Sequence, residues 1–164
     1  MQANTGSSVT LWKKIEHVRV GMLTTVGADK SLRSRPMTSQ KVDKDGLLWF
    51  FTSDQAAVSE QIEANPAVNV SFTSHEASLY VSVAGTARIV HDKVTVEAMW
   101  NPMVAAWFPN GPSDPHVALI RVDVCSAEYW DSDKSKMMQL LAMAKAAVTG
   151  EPPVNIGTHK KFDL

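Results

Sequence analysis

Cysteine is nearly absent from this chain: Cys125 is the only one in 164 residues, so an intrachain disulfide and a cysteine-rich metal site are both excluded. From its place in an apolar strand pattern between Val124 and Ala127 it reads as a buried filler. No apolar run approaches the length of a membrane span, and the polar stretch from Met1 to Thr10 lacks the basic and apolar regions of a secretory signal. The sequence is therefore expected to be soluble, unexported and cytoplasmic. Charge of one sign is lacking too. Sixteen Lys and Arg face seventeen Asp and Glu, for a net charge of −1, which leaves no cationic field for nucleic acid or an anionic membrane. His17, His75, His91, His116 and His159 have no metal-ligand spacing, and no metal site is expected. Neither G-x-G-x-x-G nor a P-loop occurs, so any phosphate must be gripped in another way.

What is present is strand periodicity. The 45% hydrophobic composition suits one domain spanning residues 1–164, with an ordered core over about 9–148. Val9–His17 reads as a short packing helix carrying Leu11, Trp12 and Ile15. Val18, Val20 and Met22 then alternate with their neighbours up to Val26 and the Gly27-Ala28-Asp29 turn. Leu32–Val42 is a second strand, reversed at Asp43-Lys44-Asp45-Gly46. The third, Leu47–Thr52, is apolar throughout and should be buried on both faces. Asp54–Ala64 reads as a helix capped by Ser53 or Asp54 and stopped by Asn65-Pro66.

Val68–Phe72 and Leu79–Val90 alternate as two more strands, the latter bending at Gly85. Asp92–Phe108 is helical with a break at Asn101-Pro102, and Val117–Trp130 is a sixth strand. Asp131 or Ser132 opens an apolar helix through Met137, Leu140 and Val148, and the tail 151–164 is expected to be extended or poorly ordered. Six mostly antiparallel strands with few helices predict a mainly β fold, a closed or split six-stranded barrel.

Arg33 and Arg35, two apart on one strand, share a face and repel unless an anion lies between them. The hairpin pairs their strand with one ending at Phe51-Thr52-Ser53, immediately before a helix N-terminus that favours negative charge. Two arginines, two hydroxyls and a helix end can meet one phosphate, while Phe51 or Trp49 offers a wall for a flat ring.

The order Arg35-Pro36-Met37, Val42-Asp43-Lys44-Asp45-Gly46, Trp49-Phe50-Phe51-Thr52, Gln61-Ile62-Glu63-Ala64-Asn65-Pro66 and Val81-Ser82-Val83-Ala84-Gly85 resembles the pyridoxamine 5'-phosphate oxidase-like flavin proteins. Trp100-Asn101-Pro102, Trp107-Phe108-Pro109-Asn110-Gly111 and Ala127-Glu128-Tyr129-Trp130-Asp131 are similar to the second half of their general stress protein branch. The resemblance implies a homodimer of split barrels with FMN, or alternatively FAD, at the interface. It implies that Arg35, Pro36 and Met37 line the cofactor, that Phe51 and Thr52 meet its ring and phosphate, and that Trp130 reaches the cofactor held mainly by the other subunit; Arg33, Ser34 and Ser53, beside these positions, are further candidate cofactor contacts. Redox chemistry is implied, with a non-catalytic flavin carrier as the competing reading.

Two departures stand out. The oxidases carry Ser-Arg-Lys where this chain has Ala56-Ala57-Val58, and a lysine where it has Gln40. Arg33 is the candidate compensator for these lost phosphate contacts. Asp131–Met138 lacks the Arg-x-His element that recognises pyridoxamine phosphate, so oxidation of that substrate is not expected.

Overall fold

Alternation of apolar and polar residues sends one side of each strand into a shared interior, and antiparallel pairing closes that interior into a barrel. The computed structural model describes residues 12–42, 47–131 and 158–163, together with residues 143 and 150. Strands β1 (Val20–Val26), β2 (Leu32–Val42), β3 (Leu47–Ser53), β4 (Ala67–Ser74), β5 (Leu79–Val90), β6 (Val117–Asp131) and β7 (Thr158–Asp163) lie in the order β3-β2-β1-β4-β5-β6-β7. A further pairing of β3 with β6 closes the first six strands into an antiparallel barrel, as the sequence predicts. Among the described residues, the helices α1 (Ala57–Ala64), α2 (Lys93–Met99) and α3 (Pro102–Trp107) fill connections between strands.

The interior is a continuous apolar cluster that includes Leu23, Leu48, Phe50, Val70, Phe72, Val83, Ile120 and Val122. Burying a side chain such as Phe50, which is fully enclosed, contributes about 1.5–3 kcal/mol. A second cluster lies on the outside of β3 and β6, where Trp49, Phe51, Val117 and Leu119 pack against Val96 and Val104 of the two short helices. Leu48 and Phe50 face one cluster while Trp49 and Phe51 face the other, so the uninterrupted apolar run of β3 follows from having a core on each side. At the N-terminal end, Trp12 and Ile15 of a helical turn at 12–15 are buried in the barrel cluster, and Lys14 pairs with Asp131 at the end of β6.

Strand β6 is long enough to serve two partners along one edge. Residues Val117–Asp123 pair with β3, and Ser126–Asp131 pair with β7. Cys125 falls between these stretches, where the register with β5 also shifts. As the extra residue of this bulge it is exposed, which corrects the expectation of a buried filler: a bulge rotates a residue out of the alternation that an unbroken strand would impose. Gly85 stands opposite. A Cβ there would lie 2.4 Å from the carbonyl oxygen of Asp123, so the close approach demands glycine.

Two further expectations change. Helix α1 begins at Ala57, with Ala56 as N-cap and no side-chain cap, because the Ser53 hydroxyl instead accepts from the backbone N–H of Gln55 at 3.2 Å. Within the tail expected to be extended or poorly ordered, Thr158–Asp163 forms the seventh strand. The reversal at Asp43–Gly46, Leu11, and the helix assigned after Asp131 lie outside the described residues.

Candidate functional site

Strand β2 presents its two faces to different surroundings. Ser34 points outward, its hydroxyl 2.7 Å from that of Thr24 on β1. Arg35 turns the other way, donating to the buried Thr25 hydroxyl at 2.9 Å and to the Gln61 side-chain oxygen of α1 at 2.8 Å. Thr25 in turn donates to the same Gln61 oxygen at 2.6 Å. The guanidinium is thus partly buried and held by neutral groups, with no carboxylate paired to it among the described residues. Burial lowers its pKa from the usual arginine value, and the neighbouring charge of Arg33 lowers it further. A cation in that position is stabilised by an anion.

The other sequence-assigned residues divide in two. Pro36 and Met37, with Thr38 and Gln40, form one wall of a pocket of about 240 Å³; Phe51 of β3 forms another, and Met103, Val104, Trp107 and Phe108 of α3 and its end complete it. Phe51 meets Trp100 edge-on at 5.7 Å and Phe108 at 6.3 Å, which fixes its ring. The structure does not gather the remaining residues here. Arg33 is exposed and bonded to Asp29 at 3.2 Å. The Thr52 hydroxyl donates to the Ser53 carbonyl at 3.3 Å, and that carbonyl also accepts from Ser59 at 2.7 Å. Trp130 lies on the outer face of β6, stacked flat on His159 of β7 with ring centres 4.9 Å apart.

Periodicity alone passes over four of the residues that matter here. Thr25 and Gln61 look like ordinary strand and helix positions, yet they hold Arg35. Trp107 is 79% exposed at the pocket's edge, where an apolar helix reading expects packing. Asn101 carried a legible signal, an asparagine before proline at a helix start: its side-chain oxygen accepts from Met103 N at 3.1 Å and Val104 N at 3.2 Å, capping α3.

A flavin phosphate and ring require different things, and both are represented. Arg35 supplies an uncompensated cation, and the first turn of α1, lacking a side-chain cap, leaves backbone N–H groups for an anion. The Met37 and Phe51 walls suit a flat apolar ring. Val58, standing where the oxidases carry lysine, is buried in the barrel core and offers no phosphate contact.

A closed antiparallel barrel with an apolar pocket against its second and third strands defines a split-barrel protein. The model of the family described as pyridoxamine 5'-phosphate oxidase like matches residues 7–154, and the chain belongs to that family. It is 30% identical over 168 aligned residues to protein bli-3 of Neurospora crassa, covering 92% of this chain and 80% of that protein. Among solved structures, it resembles the general stress FMN/FAD binding protein of Xanthomonas citri, with 35% identity, a TM-score of 0.68 and coverage of 77% and 89% of the two chains. General Stress Protein 26 of Bacillus anthracis is also similar, at 30% identity and a TM-score of 0.63, with coverage of 73% and 92%.

Proposed function

We propose that the protein binds FMN in a homodimer and uses it for electron or hydride transfer. The observation that carries the reading is Arg35: a partly buried guanidinium with only neutral partners, on the same strand as the Pro36–Met37 wall. In this reading Arg35 and the uncapped start of α1 hold the phosphate, Pro36, Met37 and Phe51 bear on the ring, and the partner copy brings Trp130 to its far side. Thr52 and Ser53 take supporting places around the phosphate, Arg33 only after leaving Asp29, while Ser34, bonded to Thr24 on the opposite face of β2, lies toward the partner copy. The Xanthomonas citri relative, described as FMN/FAD binding, supports the ligand class, and FAD is the alternative occupant.

The dimer reading rests on an uncharged surface. Outward positions from Val20 to Val26, Ser34 to Thr38, Asn69 to Thr73 and Tyr80 to Thr86 include no charged side chain, while Val20, Met22 and Tyr80 are 54%, 42% and 46% exposed. A solvated sheet face ordinarily carries charge, and depletion of charge marks the centre of an interface.

When bound, the flavin supplies the redox chemistry, and the protein contributes binding, orientation and exclusion of water. Among the described residues, no titratable side chain lines the pocket, so no acid or base is assigned to it. The same observation favours the second reading, a flavin carrier without turnover. Reduction of the flavin-loaded protein by NADPH or NADH, followed by transfer to an added acceptor, decides between them. Turnover supports the redox protein; flavin binding with no reduction by either nucleotide supports the carrier.

A further inference from the structure

Alternation at the end of β6 sends four consecutive residues to two faces, and each face is held by a different end of the chain. Tyr129 and Asp131 are buried; Lys14 of the N-terminal helical turn pairs with Asp131 and sits 5.5 Å from the Tyr129 ring centre. Glu128 and Trp130 point the other way, where β7 meets them in register, His159 opposite Trp130 and Lys161 opposite Glu128. The His159 ring lies on the indole at an interplanar angle of 3°, with centres 4.9 Å apart. Its Nε2 is 3.3 Å from Glu128 Oε2, and Lys161 Nζ is 3.6 Å from Glu128 Oε1. A carboxylate only accepts, so Nε2 donates, and the imidazole is fixed by its stack and its hydrogen bond together.

We infer that His159 is a positioning residue for the flavin ring: stacked on one face of Trp130, it holds the indole ready to present its other face to the cofactor of the partner copy. This rests on the function proposed above, in which Trp130 crosses to the partner's flavin. The backbone here is already fixed, since β5 pairs with it on one side and β7 on the other and Lys14 anchors it from the buried face. What remains free is the side chain. An indole 39% exposed and without the stack would be ordered only when the ligand arrives, which weakens binding about two- to tenfold. Glu128 and Lys161 act one step further out, by orienting His159. The effect differs in kind from that of Arg35: a residue that orients a ring contact changes FMN and riboflavin affinity alike, whereas a phosphate contact separates them.

The test is titration of the full-length, flavin-stripped protein with FMN and with riboflavin, in wild type, His159→Ala, His159→Phe, Trp130→Ala and the double variant Trp130→Ala/His159→Ala. His159→Ala should weaken both flavins by the same factor, about two- to tenfold, while sedimentation velocity shows the same assembly as wild type. His159→Phe can stack but cannot bond Glu128, and it should recover most of the loss. Trp130→Ala should weaken both flavins at least as much as His159→Ala, and adding His159→Ala to it should change nothing further. A merely structural β7 does not give that pattern, because its loss would cost as much without Trp130 as with it.

Unchanged flavin affinity in His159→Ala, a loss confined to FMN, a loss that persists in the Trp130→Ala background, no recovery in His159→Phe, or an altered assembly would each overturn the inference and leave the flavin reading standing. A wild-type protein that takes up neither FMN nor FAD would sink that reading, and this inference with it.

Discussion

Arg35 Nη2 donates to Gln61 Oε1 at 2.8 Å, joining β2 to α1 across the buried hydroxyl of Thr25. A guanidinium has five N–H donors, and this arrangement uses two on neutral oxygens. Its charge is left for something else. Arg35→Gln should weaken FMN about ten- to hundred-fold, the value of one charge-assisted hydrogen bond, while riboflavin affinity changes little. Arg33→Gln should cost FMN less, since Arg33 is already paired with Asp29. Parallel titrations of FMN and riboflavin check both.

Met22 and Ser71 are neighbours in the β1–β4 register on the uncharged outer face. Replacing Met22 with glutamate puts a carboxylate at the centre of the proposed interface. Sedimentation velocity should show a shift from dimer to monomer at micromolar protein, with flavin affinity falling in parallel. A dimer unchanged by Met22→Glu would place the interface elsewhere.

Gly85 faces the β6 bulge so closely that a methyl group has no room beside the Asp123 carbonyl. Gly85→Ala should cost about 1–3 kcal/mol, lowering the melting temperature by roughly 2–4 °C for each kcal/mol. Circular dichroism on heating measures this. Cys125→Ser at the exposed bulge should leave the transition within about 0.5 kcal/mol of wild type.

Asp92 caps α2, accepting from the Thr95 hydroxyl and from Thr95 N. Those bonds, the hydroxyl first, lower its pKa from the ordinary aspartate value. A carboxyl group whose pKa is lower folded than unfolded adds stability above the unfolded value of about 4 and loses it as pH falls through the folded value. Asp92→Asn retains an acceptor but cannot titrate. Its melting temperature should therefore be lower than wild type at neutral pH and approach wild type in acid. Asp29 and Asp114 are shifted in the same direction, so some acid dependence persists in the variant.

The barrel was legible because its signal is local. β2 and β5 have the predicted bounds, and the apolar run of β3 indicated a core on each face before either core was visible. Cys125 was misplaced because it sits where the register of β6 against β5 shifts, and a bulge is set by the neighbouring strand rather than by the residue's own sequence. The cap of α1 failed similarly. Ser53 and Asp54 precede the helix as capping residues should, but β3 runs on to Ser53 and displaces the helix start to Ala57.

The site was only half legible. Pro36, Met37 and Phe51 meet as their order implied, whereas the walls from α3 depend on how two short helices fold back over β3. β7 was invisible because its polar sequence, Thr-His-Lys-Lys-Phe-Asp, has no apolar alternation; it is held by pairing to the free half of the β6 edge. Its His159 then stacks on Trp130, a contact between positions distant in sequence.

The most direct measurement is the visible absorption spectrum of the purified protein, followed by titration of the stripped protein with FMN. The account predicts visible flavin absorption bands or their appearance as FMN is bound, with one flavin per chain and affinity reduced by Arg35→Gln. A colourless protein that takes up neither FMN nor FAD, at any concentration where it remains folded, would contradict it.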